Sequence, residues 1–276
     1  GPKKLVFLYC RNRLHDVATL LGLVGAGHAV ALLDPSLPGD ARARLDARYM
    51  PDLTIEDATA PVPSFRPGVS AGGIHAENSI LLSTSGSTGS PKFVRLSLAQ
   101  IEHNAAGIST TLDIVAGEMG SAHLPLHYSY GLSVLTSHLR QGAPLLLSER
   151  GFMDGAFWKA LVAAHVRHLP GVPYHYQMMQ RLNVARLPLS GLRVMTQAGG
   201  AMAIETRQHF WSFMNDRGGR FHILYGQTEA APRMTTLAHD DFPIAPGSVG
   251  VALPGGRIDI LGDDGVPVRA GERGFV

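Results

Sequence analysis

Cysteine is nearly missing from this sequence: Cys10 is the only one in 276 residues. That excludes a disulfide framework and a thiolate zinc site, and it fits a reducing compartment. Long hydrophobic runs are missing as well. Stretches such as AVALLD and APLLL fall far short of the roughly 20 apolar residues that a membrane helix needs. With no secretory leader pattern visible, a cytoplasmic location and no membrane span are expected. An excess of one charge is also lacking. The 24 basic and 22 acidic residues intermix to a net charge of +2 without a basic stripe, so nucleic acid is a poor fit as partner. The 13 histidines include no H-E-x-x-H, and His165, His168 and His175 lack the i,i+4 pairing of a helical zinc site.

What is present is ordinary globular composition, 45% hydrophobic and 17% charged, in a chain long enough for one large or two modest domains. Residues 17–26, VATLLGLVGA, read as a buried helix stopped by Gly25 and Gly27, followed by the strand HAVALLD ending at Pro35. Gly25-x-Gly27 is no dinucleotide fingerprint, because helix precedes strand there. Residues 36–49 read as an exposed amphipathic helix, and 58–73, rich in Pro, Gly and Ala, as a long surface loop. Strands are expected at SILLST, KFVRLS, SAHLPL, APLLLS, HLPGVP, RVMTQAG and FHILYG, with helices at 155–166, 173–183 and 202–217. Trp158 and Trp211 fall in these helices as core residues. Ser97 and Gln100 have capping-box spacing ahead of IEHNAAGISTTL. Strands alternating with helices indicate an α/β fold with largely parallel sheets. From Gly247 the helical period disappears, and DDG stands between two β-rich runs, a hairpin signal that marks a small β-rich subdomain.

The densest chemical signal lies at 83–91, where eight of nine residues are Ser, Thr or Gly, with Lys92 next. A linker does not sit between two apolar strands with a helix cap close behind. A Walker loop needs G-x-x-x-x-G-K-[ST] feeding a helix, whereas Gly86, Gly89 and Lys92 are spaced differently and lead into a strand. The chemistry is nevertheless phosphate-like. Small residues let successive backbone N–H groups converge into an anion nest. The hydroxyls of Thr84, Ser85, Ser87 and Thr88 add neutral donors, and Lys92 adds a point charge.

TSGSTGSPK, from Thr84 to Lys92, resembles the phosphate-binding signature [ST]-S-G-[ST]-T-G-x-P-K of the adenylate-forming superfamily at every fixed position. That superfamily comprises acyl- and aryl-CoA synthetases, nonribosomal peptide adenylation domains and firefly luciferase. YGQTEAA at 225–231 matches its Y-G-x-T-E motif. QAGGAM at 197–202 resembles the segment that runs along the adenine and the acyl pocket. LPLHYSYGLS at 124–133 resembles P-L-F-H-x-x-G, with His127 in place of Phe and Tyr128 in place of His, and GSVGVALPG resembles the stretch opening the family's β-subdomain.

The resemblance implies an acyl-CoA synthetase-like α/β domain with the start of a β-barrel-like subdomain at its end. It implies ATP and Mg²⁺ as cofactors. The nucleotide would be held by Thr84, Ser85, Gly86, Ser87, Thr88, Gly89, Lys92, Gly199, Gly200, Ala201, Tyr225, Gly226, Gln227 and Thr228. Tyr225 would lie against the adenine, Thr228 would bond a phosphate oxygen, and Glu229 would hold Mg²⁺, a hard cation suited to carboxylate. Thr228, Glu229 and Lys92 are the catalytic candidates, and Tyr128, Ser129 and Gly131 line the acid's pocket. The implied reaction is ATP-dependent adenylation of a carboxylic acid and acyl transfer to CoA or to the phosphopantetheine of an acyl or peptidyl carrier protein. Amino-acid-activating members carry aspartate where Ser129 stands, so a fatty or aromatic acid is expected. A nucleotide-binding remnant without turnover is the alternative, and an amino-acid-activating domain a lesser one.

The resemblance assigns 1–246 to a partial adenylation core and 247–276 to the β-rich segment. The family's Y-x-[ST]-G-D motif, its hinge and its mobile C-terminal domain with a catalytic lysine have no counterpart here. The family also has further sequence before the part matched by residues 4–35. A truncated large N-terminal domain is therefore expected, with little turnover of its own.

Overall fold

Strand β2 (Ala29–Leu33) is buried at all five positions, which is why its sequence, AVALL, shows no polar alternation: both faces of a parallel strand are covered. It lies between β1 (Leu5–Tyr9) and β4 (Asn78–Ser83), parallel to both. The short β3 (Leu53–Ile55) extends the sheet beyond β1, and β5 (Phe93–Ser97) closes the other edge antiparallel to β4. The order is β3-β1-β2-β4-β5. The computed structural model describes residues 2–60, 73–83, 92–183, 187 and 189–276.

The second sheet has seven strands in the order β12-β11-β10-β9-β8-β6-β7. Strands β6 (Gly120–Ala122), β7 (Leu145–Leu147), β8 (His168–Gly171), β9 (Val194–Gln197) and β10 (Arg220–Gly226) run parallel. Strands β11 (Arg233–Leu237) and β12 (Val251–Ala252) continue it antiparallel. The expected architecture, largely parallel sheets flanked by helices, is therefore the one formed. Beyond β12, Gly262 N–H donates to the Val266 carbonyl at 2.9 Å and Val268 N–H to the Ile260 carbonyl at 2.9 Å, around the DDG turn.

Helix α1 (Leu14–Gly25) departs from the reading of its sequence as buried. Only Asp16, Val17 and Leu20 are fully buried, with Leu23 and Val24 partly buried against the same core, and Leu21 is 48% exposed, because one side alone meets the sheet. Helix α2 (Gly39–Tyr49) is exposed as expected, burying only Leu45. Helix α3 (Leu98–Thr111) starts at the expected capping box, with Gln100 N–H donating to Ser97 Oγ at 3.1 Å and Ser97 N–H to Gln100 Oε1 at 2.8 Å. The α5 (Gly155–Ala163), α6 (Pro173–Arg181) and α7 (Ile204–Asn215) helices occupy the three expected spans. His175 lies within α6. Trp158 is buried and Trp211 packs against the same aromatic and methionine-rich core.

Helix α4 (Ser129–Arg140) has no counterpart among the elements read from sequence. It is buried along nearly its whole length and packs against α3. Its hydroxyls return to its own carbonyls, Ser133 to Tyr130 at 2.7 Å and Ser137 to Val134 at 3.2 Å. Polar residues are thereby admitted to a core position without leaving donors unmade.

Candidate active site

Parallel strands point their C-terminal ends to one edge, the usual place for a ligand crevice in an α/β sheet. At that edge of the larger sheet, the segments after β6, β9 and β10 carry residues 124–131, 199–201 and 227–230. They are physically joined. The Thr228 hydroxyl donates to the Ser129 hydroxyl at 3.1 Å, linking positions 99 residues apart. Gly199, at φ +79°, lies under the Tyr128 ring so closely that a Cβ there would collide with the phenol oxygen. Gly200 follows with Pro173 beside it, and its carbonyl accepts from Gln197 Nε2 at 2.8 Å. Ala201 is exposed at the same rim.

Gly131 sits where the first turn of α4 doubles back on the preceding loop. A side chain there would run into the carbonyls of Leu124 and Pro125, so this glycine lets Tyr128 and Ser129 reach the crevice. The Tyr128 phenol is half-buried, and burial raises its pKa, opposed by the charge of Arg233. Tyr225 and Gly226 end β10 at a register shift against β11, and Tyr225 is 38% exposed. Gln227 is exposed, and Thr228 and Glu229 belong to a short 3-10 turn, Thr228–Ala230. Glu229 projects an exposed carboxylate that makes no ion pair with any described residue.

The smaller sheet supplies the remaining candidate. Strand β5 lies against the Thr228–Ala230 turn, and Ser83 pairs with Phe93 at the end of the β4–β5 ladder. The two ends of the ladder, Ser83 and Phe93, are therefore close to each other and on the strand pair that meets this turn. Thr84, Ser85, Gly86, Ser87, Thr88 and Gly89 themselves lie outside the described residues. Lys92, exposed, stands at the start of β5.

Two residues of this region carry no motif. Asn104, on α3, is buried and hydrogen-bonds Arg233 through both its amide atoms: Nδ2 donates to the Arg233 carbonyl at 2.7 Å and Oδ1 accepts the Arg233 N–H at 3.2 Å. Nδ2 also reaches the Ala230 carbonyl at 3.4 Å, which anchors the far end of the Thr228–Ala230 turn. Arg233 is buried, with its guanidinium carbon 5.2 Å from the centre of the Tyr130 ring. The Tyr130 hydroxyl donates to the Thr196 carbonyl at 3.1 Å, and burial pushes its pKa up to about 12. Neither Asn104 nor Arg233 was legible as a functional residue, because each depends on a contact between distant segments.

A family model described as AMP-binding enzyme matches residues 75–276. Feruloyl-CoA synthase from Amycolatopsis sp is 30% identical over 71% of this chain, which spans 40% of that protein's length. Isonitrile lipopeptide synthase from Streptomyces coeruleorubidus is 26% identical over 96% of this chain and 20% of its own. Among solved structures, o-succinylbenzoate CoA synthetase from Bacillus subtilis, in complex with its acyl-adenylate intermediate, superimposes with a TM-score of 0.82. It does so at 20% identity, over 99% of this chain and 59% of that one. The fold is thus that of the adenylate-forming enzymes, and the chain belongs to the AMP-binding enzyme family.

Proposed function

We propose that the protein activates a carboxylic acid with ATP as an acyl-adenylate, and that the acyl group then passes to a thiol. The observation that carries this reading is the convergence, at one sheet edge, of the Tyr128–Ser129, Gly199–Gly200 and Tyr225–Glu229 segments beside the strand that begins after Lys92. In the reaction, a carboxylate oxygen of the acid attacks the α-phosphorus of ATP and the bond to pyrophosphate breaks. The thiol then attacks the carbonyl carbon of the adenylate and AMP leaves.

Each residue has a part in this reading. The 84–89 backbone and hydroxyls cradle the β- and γ-phosphates, with Lys92 beside them as a mobile positive charge. Tyr225 offers its exposed ring to the adenine, while Gly199, Gly200 and Ala201 bring backbone close to the same base. Gly226 and Gln227 form the floor of that slot. Thr228, held by Ser129, directs its oxygen at the α-phosphate. Tyr128 and Ser129 border the acid's carboxylate. The Glu229 carboxylate, exposed and without an ion-pair partner among the described residues, suits a Mg²⁺ ion; when bound, that ion neutralises phosphate charge. Catalysis of this kind rests on positioning and charge stabilisation.

Coenzyme A is the acceptor that kinship with feruloyl-CoA synthase supports. Kinship with a nonribosomal peptide synthetase supports a carrier-protein phosphopantetheine. The acid's class was read from sequence as fatty or aromatic. No helix among the described residues is long and apolar enough to cross a membrane, and we propose a cytoplasmic setting from the cysteine usage. The 1–246 core and the 247–276 segment remain our proposed division of the chain.

Thermal unfolding with and without Mg·ATP tests this reading. A ligand that binds only the folded state raises the melting temperature, by about 2.7 kcal/mol of stabilisation at a hundredfold excess over the dissociation constant. No shift at millimolar Mg·ATP rejects it.

A further inference from the structure

Three consecutive residues of the segment after β6 reach three different parts of the protein. Tyr128 meets Gly199 and Ser129 meets Thr228, both in segments of the larger sheet. His127 turns to the smaller sheet instead: its Nε2 lies 3.6 Å from Oδ2 of Asp34, just past the end of β2. Asn12, which follows β1, ties down the start of the same segment. Its Nδ2 donates to the carbonyls of Ala122 at 2.8 Å and Leu124 at 2.9 Å. The residues that carry Tyr128 and Ser129 are therefore fastened to the sheet whose strands β4 and β5 flank the small-residue segment.

The contact between His127 and Asp34 depends on a proton. At 3.6 Å it is too long for a hydrogen bond, and it attracts only when the ring is charged. Asp34 is committed to its charge, because Ser36 donates to its Oδ1 through both N–H and hydroxyl, each at 2.7 Å. Burial pushes this carboxyl up, but the Ser36 bonds and the charges of His127 and Arg42 outweigh burial and hold it below its ordinary value. Burial pushes the pKa of His127 down, opposed by the Asp34 charge and the Cys10 carbonyl. Nδ1 is buried without a hydrogen-bond partner. A protonated ring carries a donor at both nitrogens, and the acceptors near it are Asp34 and the Cys10 carbonyl. The other groups around the pair add no negative charge. Burial pushes the Cys10 thiol up to about 12 and raises the Tyr128 phenol, so both are neutral near pH 7, while Arg42 of α2 competes for Asp34.

A nucleotide supplies the missing term. Leu32 pairs with Leu82, so Asp34 lies beside the point where β4 ends at Ser83, one strand spacing away, about 4.8 Å. In the adenylation reading the phosphates enter there, and a polyanion close by favours the charged form of a histidine. We propose that His127 is a positioning residue that takes up a proton when Mg·ATP binds, and that its imidazolium, paired with Asp34, holds the Tyr128–Ser129 segment against the smaller sheet for attack on the α-phosphate. The inference rests on the adenylation reading. The proton comes from solvent, and no bond to the nucleotide forms or breaks in this step. In that reading the phosphate half of the crevice belongs to the smaller sheet and the acid half to the larger one. A link between them that tightens with the nucleotide aligns the carboxylate once its reaction partner is present. A ring whose pKa rises on binding takes up protons between its free and bound values, so affinity for Mg·ATP falls as pH rises through that interval.

Calorimetric titration of Mg·ATP at about pH 6.5, in PIPES and in ACES, tests this. The two buffers differ in ionisation enthalpy, so the difference in apparent binding enthalpy counts protons. The wild-type protein is expected to take up about 0.3 proton or more per nucleotide, and its affinity to weaken about threefold from pH 6 to 7.5. His127→Phe, which installs the residue of the resembled motif, should lose both effects, and His127→Gln serves where the phenylalanine variant does not fold. Amide exchange across 124–131 should slow with Mg·ATP in the wild type and slow less in the variant. A contact that merely braces the segment would change affinity without moving protons. If Mg·ATP fails to bind the wild-type protein, the adenylation reading falls and takes the inference with it. Binding without proton uptake overturns the inference alone. Uptake that survives in a folded variant overturns it equally, since the proton then goes to another group such as His123 or His175, and so does equal slowing of exchange in both proteins.

Discussion

The side-chain amide of Asn104 holds the backbone of Arg233 from both sides, donating to its carbonyl at 2.7 Å and accepting its N–H at 3.2 Å. The pair closes the gap between α3 and the start of β11, and it fixes where the Thr228–Ala230 turn ends. Asn104→Ala leaves a buried N–H and a buried carbonyl unmet, which costs about 2–4 kcal/mol in unfolding free energy. Urea unfolding measures this, and a loss below about 0.5 kcal/mol would show that water replaces the clamp.

Gly199 and Tyr128 make a second testable pair. Gly199→Ala imposes a Cβ at φ +79° and drives it into the Tyr128 hydroxyl. Backbone strain and overpacking together are worth about 2–4 kcal/mol. Adding Tyr128→Phe removes the colliding oxygen and should recover the packing part while the backbone strain remains. If the double variant is no more stable than Gly199→Ala alone, the contact between these two segments is not the one described.

The candidate rim residues separate by their dependence on magnesium. Glu229→Gln keeps the shape of the side chain and removes its charge, so ATP should bind that protein equally with and without Mg²⁺. Lys92→Ala should weaken both measurements in the same proportion, by about tenfold, because in the proposed reading the N–H groups and hydroxyls of 84–89 still hold phosphate. Retention of the full magnesium effect in Glu229→Gln would remove Glu229 from the metal's coordination.

Acid should weaken the fold before its carboxylates titrate. Burial pushes the pKa of His123 and His222 down to about 3 and that of His138 and His175 down to about 4. These rings are neutral in the fold, whereas in the unfolded chain they take up protons below about 6.5. Unfolding therefore binds protons between those limits, and stability falls as pH drops from about 6.5 toward 4. Each histidine contributes up to roughly 1.4 kcal/mol per pH unit. Denaturant midpoints measured from pH 7.5 to 4.5 should decline monotonically, and a flat profile over that range would contradict the burial of these four rings.

Local chemistry was enough for much of this protein. Runs such as AVALL and RFHILYG read as strands because they are short, apolar and bounded by turn residues, Gly27 and Pro35 for the first and Gly219 and Gly226 for the second. Ser97 and Gln100 close a capping box with each other, three residues apart, and need nothing from the rest of the chain. The motifs around Lys92 and Glu229 likewise lay open in the sequence, since each is a local spacing that needs no contact between distant segments. Tertiary packing decided the rest. VATLLGLVGA is apolar on every side, and only docking determined that Leu20 is buried and Leu21 exposed. SYGLSVLTSHLR has too many hydroxyls for an apolar stripe, and it becomes a buried helix because those hydroxyls bond its own carbonyls once α3 covers it. RMTTL offers no alternation to read, and it is a strand because β10 and β12 pair with it on both sides. The position of Arg233 belongs to this second kind: a guanidinium is surface chemistry by composition, and only an asparagine 129 residues away and a tyrosine from α4 place its charge inside.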